Sequence, residues 1–217
     1  MFGRLLDFFF PPKCVFCRKL IDSNTQCWCE ACISNVPFLK EENAKTLLDG
    51  NYFCRSAVKY DGIVRESFLR YKFSGYKNYA EAYAQIILNQ IDDIKGIGYD
   101  AITWSPISKM RRRKRGYDQS RLIAESLAKS LKIPCVQLLV KTKHTKAQSL
   151  MTTSKDRADN VRGVYKYNNR IKGKYDRVLL LDDIITTGST MNECIRILNE
   201  KNIYDIECIS FAKAGHN

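Results

Sequence analysis

Residues Leu180–Thr190 read LLDDIITTGST. Two adjacent carboxylates, Asp182 and Asp183, precede a small hydroxyl-rich loop of Thr186, Thr187, Gly188, Ser189 and Thr190. Such a loop at the start of a helix suits a phosphate, because it offers successive backbone N–H groups, hydroxyls and the positive end of the helix dipole. Gly188 permits close approach or a positive φ. The carboxylates would repel that phosphate if set beside it, so they must face another part of the ligand. Carboxylates accept hydrogen bonds, and the two hydroxyls of a ribose donate them. A 5-phosphorylated ribose therefore explains both halves of the motif.

A second group of reactive residues lies near the N-terminus, where Cys14-Val-Phe-Cys17 and Cys29-Glu-Ala-Cys32 form two C-x2-C pairs. Four thiolates so spaced can surround one zinc ion, and a module this small needs a metal to supply folding energy. Cys27, within CWCEAC, competes with Cys29 for the third ligand position, and the spacing leaves that choice open. Cys54, Cys135, Cys194 and Cys208 fall in strand or helix patterns and read as core. The third chemical feature is Lys109–Arg115, cationic at six of its seven positions. It reads as a loop able to track a polyanion, with Tyr117 beside it as a ring on which a nucleobase stacks. The nucleic-acid candidates are thus Lys109, Arg111, Arg112, Arg113, Lys114, Arg115 and Tyr117.

The elements that must position these groups alternate between strand and helix. Phe53–Tyr60, Tyr99–Trp104, Ile133–Val140, the apolar run before Asp182, and Ile203–Phe211 read as strands. Helical patterns cover Ile63–Phe73, Tyr79–Ile91 and Gln119–Leu131, and a further helix begins around Met191. The alternation indicates a parallel sheet of βαβ units. It places LLDDIITTGST between a strand's C-terminal end and a helix, where open α/β sheets bind ligands. Residues 141–174 carry ten Lys or Arg against two acidic residues. That segment is too long for an ordinary connection and reads as a functional loop, a partly structured hood over the ribose site, or a second electropositive surface.

The chain has 217 residues, enough for one main domain with an appendage. We place the appendage at 1–50 as a four-cysteine zinc module and linker, and the main domain at 51–217. A net charge of +13 favours polyanionic partners. No stretch reaches the ~20 apolar residues of a membrane helix, and the Phe-rich opening lacks a cleavage site, so a cytoplasmic location is expected. His144 and His216, the two histidines, read as exposed rather than catalytic.

VLLLDDIITTGST resembles the signature of the phosphoribosyltransferases. The resemblance implies a type I α/β fold and binding of phosphoribosyl pyrophosphate (PRPP) with Mg2+, with the acidic pair on the ribose hydroxyls and the Thr–Gly loop on the 5-phosphate. It also places the diphosphate after TWSPIS, at Ser108 and Lys109. The cysteine module ahead of that signature is similar to the ComF family of competence proteins, as are FFFPPKCVFC, KRGYDQS, Gln148, Arg157 and the NVRGVY starting at Asn160. That likeness implies a role in DNA uptake during natural transformation, handling single-stranded DNA alongside a helicase-like ATPase, with phosphoribosyl transfer as a further activity. Two alternatives remain: a salvage or biosynthetic phosphoribosyltransferase acting on a free base or amine, and a non-enzymatic DNA-binding module on an inherited fold. The cysteine module and the basic run favour the competence reading over the salvage enzyme, and no general base is evident.

Overall fold

The computed structural model describes residues 11–21, 27–143 and 162–215. His144, Gln148, Arg157, Asn160, His216 and the Phe-rich opening lie outside them.

The chain runs through α1 (Glu30–Ile33), α2 (Glu41–Ala44), β1 (Lys45–Leu47), β2 (Phe53–Lys59), α3 (Gly62–Phe73) and α4 (Tyr79–Gln90). It continues with β3 (Ala101–Trp104), α5 (Lys109–Arg115), α6 (Gln119–Leu131), β4 (Leu139–Lys141) and β5 (Tyr165–Tyr167). β6 (Arg177–Ile185), α7 (Ser189–Asn199) and β7 (Asp205–Lys213) complete it. The main sheet has the order β1-β2-β7-β6-β3. β2, β7, β6 and β3 are parallel, and β1 adds an antiparallel edge. The expected parallel α/β sheet is present.

β6 shows why the sheet forms. Val178, Leu179, Leu180 and Leu181 are all fully buried. With a side-chain period of two, Leu179 and Leu181 pack toward α3, α4 and α6, while Val178 and Leu180 pack toward α7 and β5. A strand covered on both faces needs a continuous apolar run. Asp182 and Asp183 continue the alternation at its polar end.

Three sequence expectations need correction. The strand expected over Ile133–Val140 is reduced to Leu139–Lys141, paired antiparallel with β5. Pro134 has no N–H to give a ladder, and this region keeps only one bridge to β3, between Ile102 and Cys135. Lys45–Leu47, assigned to the linker, is an edge strand of the main sheet, in register with Phe53–Arg55. The basic run Lys109–Arg115 is a helix, not a loop. The Ser108 side chain caps its start by accepting from the Arg111 N–H at 3.3 Å, and Gly116 ends it at φ 80°.

The cysteine module shares the main core. Cys14, Val15, Phe16 and Val36 are buried in the same cluster as α3 and α4. Ser67 Oγ donates to the Val15 carbonyl at 2.7 Å, and the Arg70 guanidinium donates to the Val15 and Phe16 carbonyls.

Candidate functional site

The C-terminal ends of the four parallel strands open onto one cleft of about 520 Å³. Tyr60 follows β2, Ser105 follows β3, Asp182, Asp183 and Ile184 end β6, and Ala214 follows β7; all of them line it. Of the expected ligand residues, the structure brings Asp182, Asp183, Thr186 and Thr190 to this wall.

Asp182 is buried and accepts from the Ser105 hydroxyl and from the Asp183 N–H. Burial and the adjacent Asp183 charge push its pKa up to about 7. Asp183 sits on the other side of the strand, 3.5 Å from Lys72 Nζ. The two carboxylates are therefore unequal: one is recessed and shifted toward its protonated form, the other faces a cation.

The loop that follows is closed by Gly188, at φ 77° and the N-cap of α7. The left-handed φ is what calls for glycine; a Cβ there would also lie 2.5 Å from Leu48 Cδ2, and that side chain would have to shift. Thr187 Oγ1 and Ser189 Oγ lie 2.8 Å apart across the turn.

Ser108 and Lys109, expected at a diphosphate, do not line the cleft. Ser108 is committed to its helix cap, and Lys109 is exposed. Helical geometry instead directs Arg111 and Arg115, four residues apart, onto the cleft wall. With Arg65, Lys72 and Lys141 they make five cationic side chains around the two carboxylates. Lys141 comes from the β4–β5 ribbon, where its Nζ lies 3.1 Å from Tyr165 Oη. Burial and the Arg111 charge bring its pKa down to about 8. Burial likewise lowers the pKa of Arg115.

Tyr117 is not a surface ring. It is 6% exposed, packed 5.7 Å from the Tyr71 ring centroid, with its hydroxyl buried. The aromatic cluster beneath α3 draws it inward, which removes it as a stacking platform. Phe73 is the exposed ring of this region: it lines the cleft, is 66% exposed, and carries the Arg115 guanidinium 5.1 Å from its centroid.

The cysteine module resolves the choice between Cys27 and Cys29. The sulfurs of Cys14, Cys17, Cys29 and Cys32 all lie within 4.8 Å of one another, and Cys27 stands outside the group. Tetrahedral zinc with Zn–S near 2.3 Å separates its sulfurs by about 3.8 Å. The 3.7 Å between Cys17 Sγ and Cys29 Sγ fits that ion. Burial disfavours the Cys14 thiolate, but backbone N–H groups of Cys17, Cys29 and Phe16 outweigh it and lower its pKa to about 7.

Sequence comparison gives a domain match and relatives along most of the chain. Residues 118–217 match the phosphoribosyl transferase domain. Competence protein F of Haemophilus influenzae is 28% identical over 209 residues, covering 93% of this chain and 90% of that protein. Competence protein ComFC of Streptococcus pneumoniae is 26% identical, covering 93% of this chain and 100% of that protein. The chain is thus similar to competence proteins over nearly its whole length. A DNA utilization protein of Escherichia coli K12 is a more partial relative, 25% identical over 58% of this chain and 57% of that protein. Among the described residues no helix is long and apolar enough to cross a membrane.

Among the described residues, sequence reasoning missed Ser105, Lys72, Phe73, Arg115 as a cleft residue, and Lys141. A signal existed for one of them, Arg115. Ser108 three residues before Arg111 and a glycine after Arg115 mark a helix. That helix would have separated Arg111 and Arg115 from their neighbours.

Proposed function

We propose that this chain, like the competence proteins it resembles, acts in DNA uptake, binding PRPP with Mg2+ in the cleft at the strand ends and single-stranded DNA on the adjoining basic surface. The observation that carries the PRPP reading is the pairing of Asp182 and Asp183 with the Thr186–Thr190 turn inside a ring of five cations. Carboxylates suit the ribose hydroxyls, the turn at the start of α7 suits the 5-phosphate, and Arg111, Arg115 and Lys141 suit the diphosphate. The two carboxylates also fit a hard cation carried in with the diphosphate. We assign the four-cysteine group to one structural zinc ion.

The DNA reading rests on the outer face of α5, where Lys109, Arg112, Arg113 and Lys114 are all exposed, and on kinship with the DNA utilization and competence proteins. A helicase-like ATPase is the partner this reading expects, in the cytoplasm.

Calorimetry with PRPP and Mg2+ tests the cleft assignment. The double variant Asp182→Asn with Asp183→Asn should lose about 1.5–3 kcal/mol for each charge-assisted hydrogen bond removed. Equal PRPP affinity in the wild type and the double variant refutes this placement.

A further inference from the structure

We infer that Phe73 is the stacking platform for a nucleobase, so that the base presented to the cleft lies on the last residue of α3. This inference rests on the binding reading above and names the residue that receives the base.

Four observations converge on Phe73. Its ring is 66% exposed although it lies at the end of a helix whose Phe68 and Tyr71 are fully buried. It forms part of the cleft wall together with both carboxylates. The Arg115 guanidinium rests 5.1 Å from its centroid, which orients the ring and leaves most of its surface to solvent. Lys72, its neighbour in sequence, reaches Asp183 at 3.5 Å, so the ring adjoins the carboxylate side of the cleft. An exposed ring flanked by cations is the arrangement that binds bases without sequence preference, the π-face taking the base and the cations the phosphates.

A nucleobase reaches such a platform either as part of a strand or as a free base, and stacking chemistry serves both. The cations on α5 beside it favour the strand. A base held here lies on the wall of the same cleft that Asp183 lines, which joins the two ligands in one site.

The test compares wild type with Phe73→Ala, Phe73→Leu and Phe73→Trp, using a fluorescently labelled oligothymidylate at several salt concentrations and unlabelled thymine as competitor. Because Phe73 is exposed, each variant should melt with the wild type. Phe73→Ala and Phe73→Leu should weaken oligonucleotide binding by at least about fivefold, and Phe73→Trp should match or exceed the wild type. The slope of log affinity against log salt should stay the same in all four proteins, since the ring neutralises no phosphate. Displacement by thymine near the oligonucleotide's own concentration would identify a free-base site and overturn the strand assignment. Wild-type affinity in Phe73→Ala overturns the inference while leaving DNA binding intact. Wild-type affinity in Phe73→Leu does so too, because it indicates an apolar contact instead of stacking. Absence of oligonucleotide binding by the wild type at low salt overturns the inference together with the reading beneath it.

Discussion

The helical form of Lys109–Arg115 divides one charge run into two faces, and the two should fail separately. Lys109, Arg112, Arg113 and Lys114 are exposed, while Arg111 and Arg115 are half-buried on the cleft wall. Glutamine at the four outer positions removes their charge and keeps good helix formers. If all four meet phosphates of a single strand, counterion release contributes about −0.7 each to the slope of log affinity against log salt, roughly −2.8 together. Between about 50 and 200 mM salt that slope is about a fiftyfold change in affinity. Fluorescence anisotropy of a labelled oligothymidylate over this range should show the outer quadruple variant flattened by about that amount. Glutamine at Lys40, Lys95, Lys129 and Lys172, all exposed and away from the cleft wall, changes the net charge equally and should leave the slope close to wild type. Equal losses in the two quadruple variants would show that binding reflects only the overall +13. The inner pair is tested with PRPP. Arg111→Gln with Arg115→Gln should cost about 1.5–3 kcal/mol per charge-assisted bond, or roughly 10- to 150-fold in affinity for each. The outer variant should retain wild-type PRPP affinity. If the outer variant loses PRPP affinity as severely as the inner one, the division into two faces is wrong.

Metal analysis of the purified protein should find about one zinc per chain, lost in Cys29→Ala and kept in Cys27→Ala. Zinc retention in Cys29→Ala would refute the ligand set. Gly188→Ala should destabilise the fold by at least about 1–2 kcal/mol in denaturant titration, through left-handed backbone strain and the contact with Leu48. PRPP affinity should be highest between about pH 7 and 8, because Asp182 protonates below about 7 and Lys141 loses its proton above about 8. Lys141→Gln should remove the alkaline limb in calorimetry over pH. For stability the sign of Lys141 is opposite: its folded value of about 8 lies below the ordinary 10.5, so the unfolded chain holds the extra proton within that window. The destabilisation from burying Lys141 is therefore full below about pH 8 and fades as pH rises toward 10.5.

What the sequence made legible is what is local. The apolar run of β6, the acidic pair and the turn into α7 are consecutive, so their order along the chain is also their order in space. The helix Gln119–Leu131 was legible to the residue from Leu122, Ala124, Leu127 and Leu131 at helical spacing; the structure buries Ala124 and Leu127, puts Ile123 inward beside them and leaves Leu122 and Leu131 half-buried. What stayed hidden depends on contacts between distant segments. Nothing near Asp182 announces Ser105, which lies 77 residues away and reaches it only because β3 and β6 are neighbours. Lys141 enters the cleft because β4 pairs with β5, and no periodicity in so short a strand predicts that ribbon. Tyr117 was misread for the same reason: the Tyr71 ring that covers it lies on α3.

α3 also joins the two chemical centres. Ser67 and Arg70 point toward the cysteine module and hold the Val15 and Phe16 carbonyls, while Leu69, Lys72 and Phe73 stand on the cleft. Both sets fit on one helix because a period of 3.6 sends neighbouring positions to different faces. Ser67 is itself tied to the Tyr83 hydroxyl at 2.8 Å, and Tyr83 stacks on Phe211 of β7 at 4.1 Å. The backbone around Cys14 and Cys17 therefore reaches the sheet through fully buried side chains, and the four clustered cysteines adjoin the segment that braces α3. Lys72 and Phe73 owe their placement to that brace as well as to their own contacts, so the module supports the site from behind without touching it.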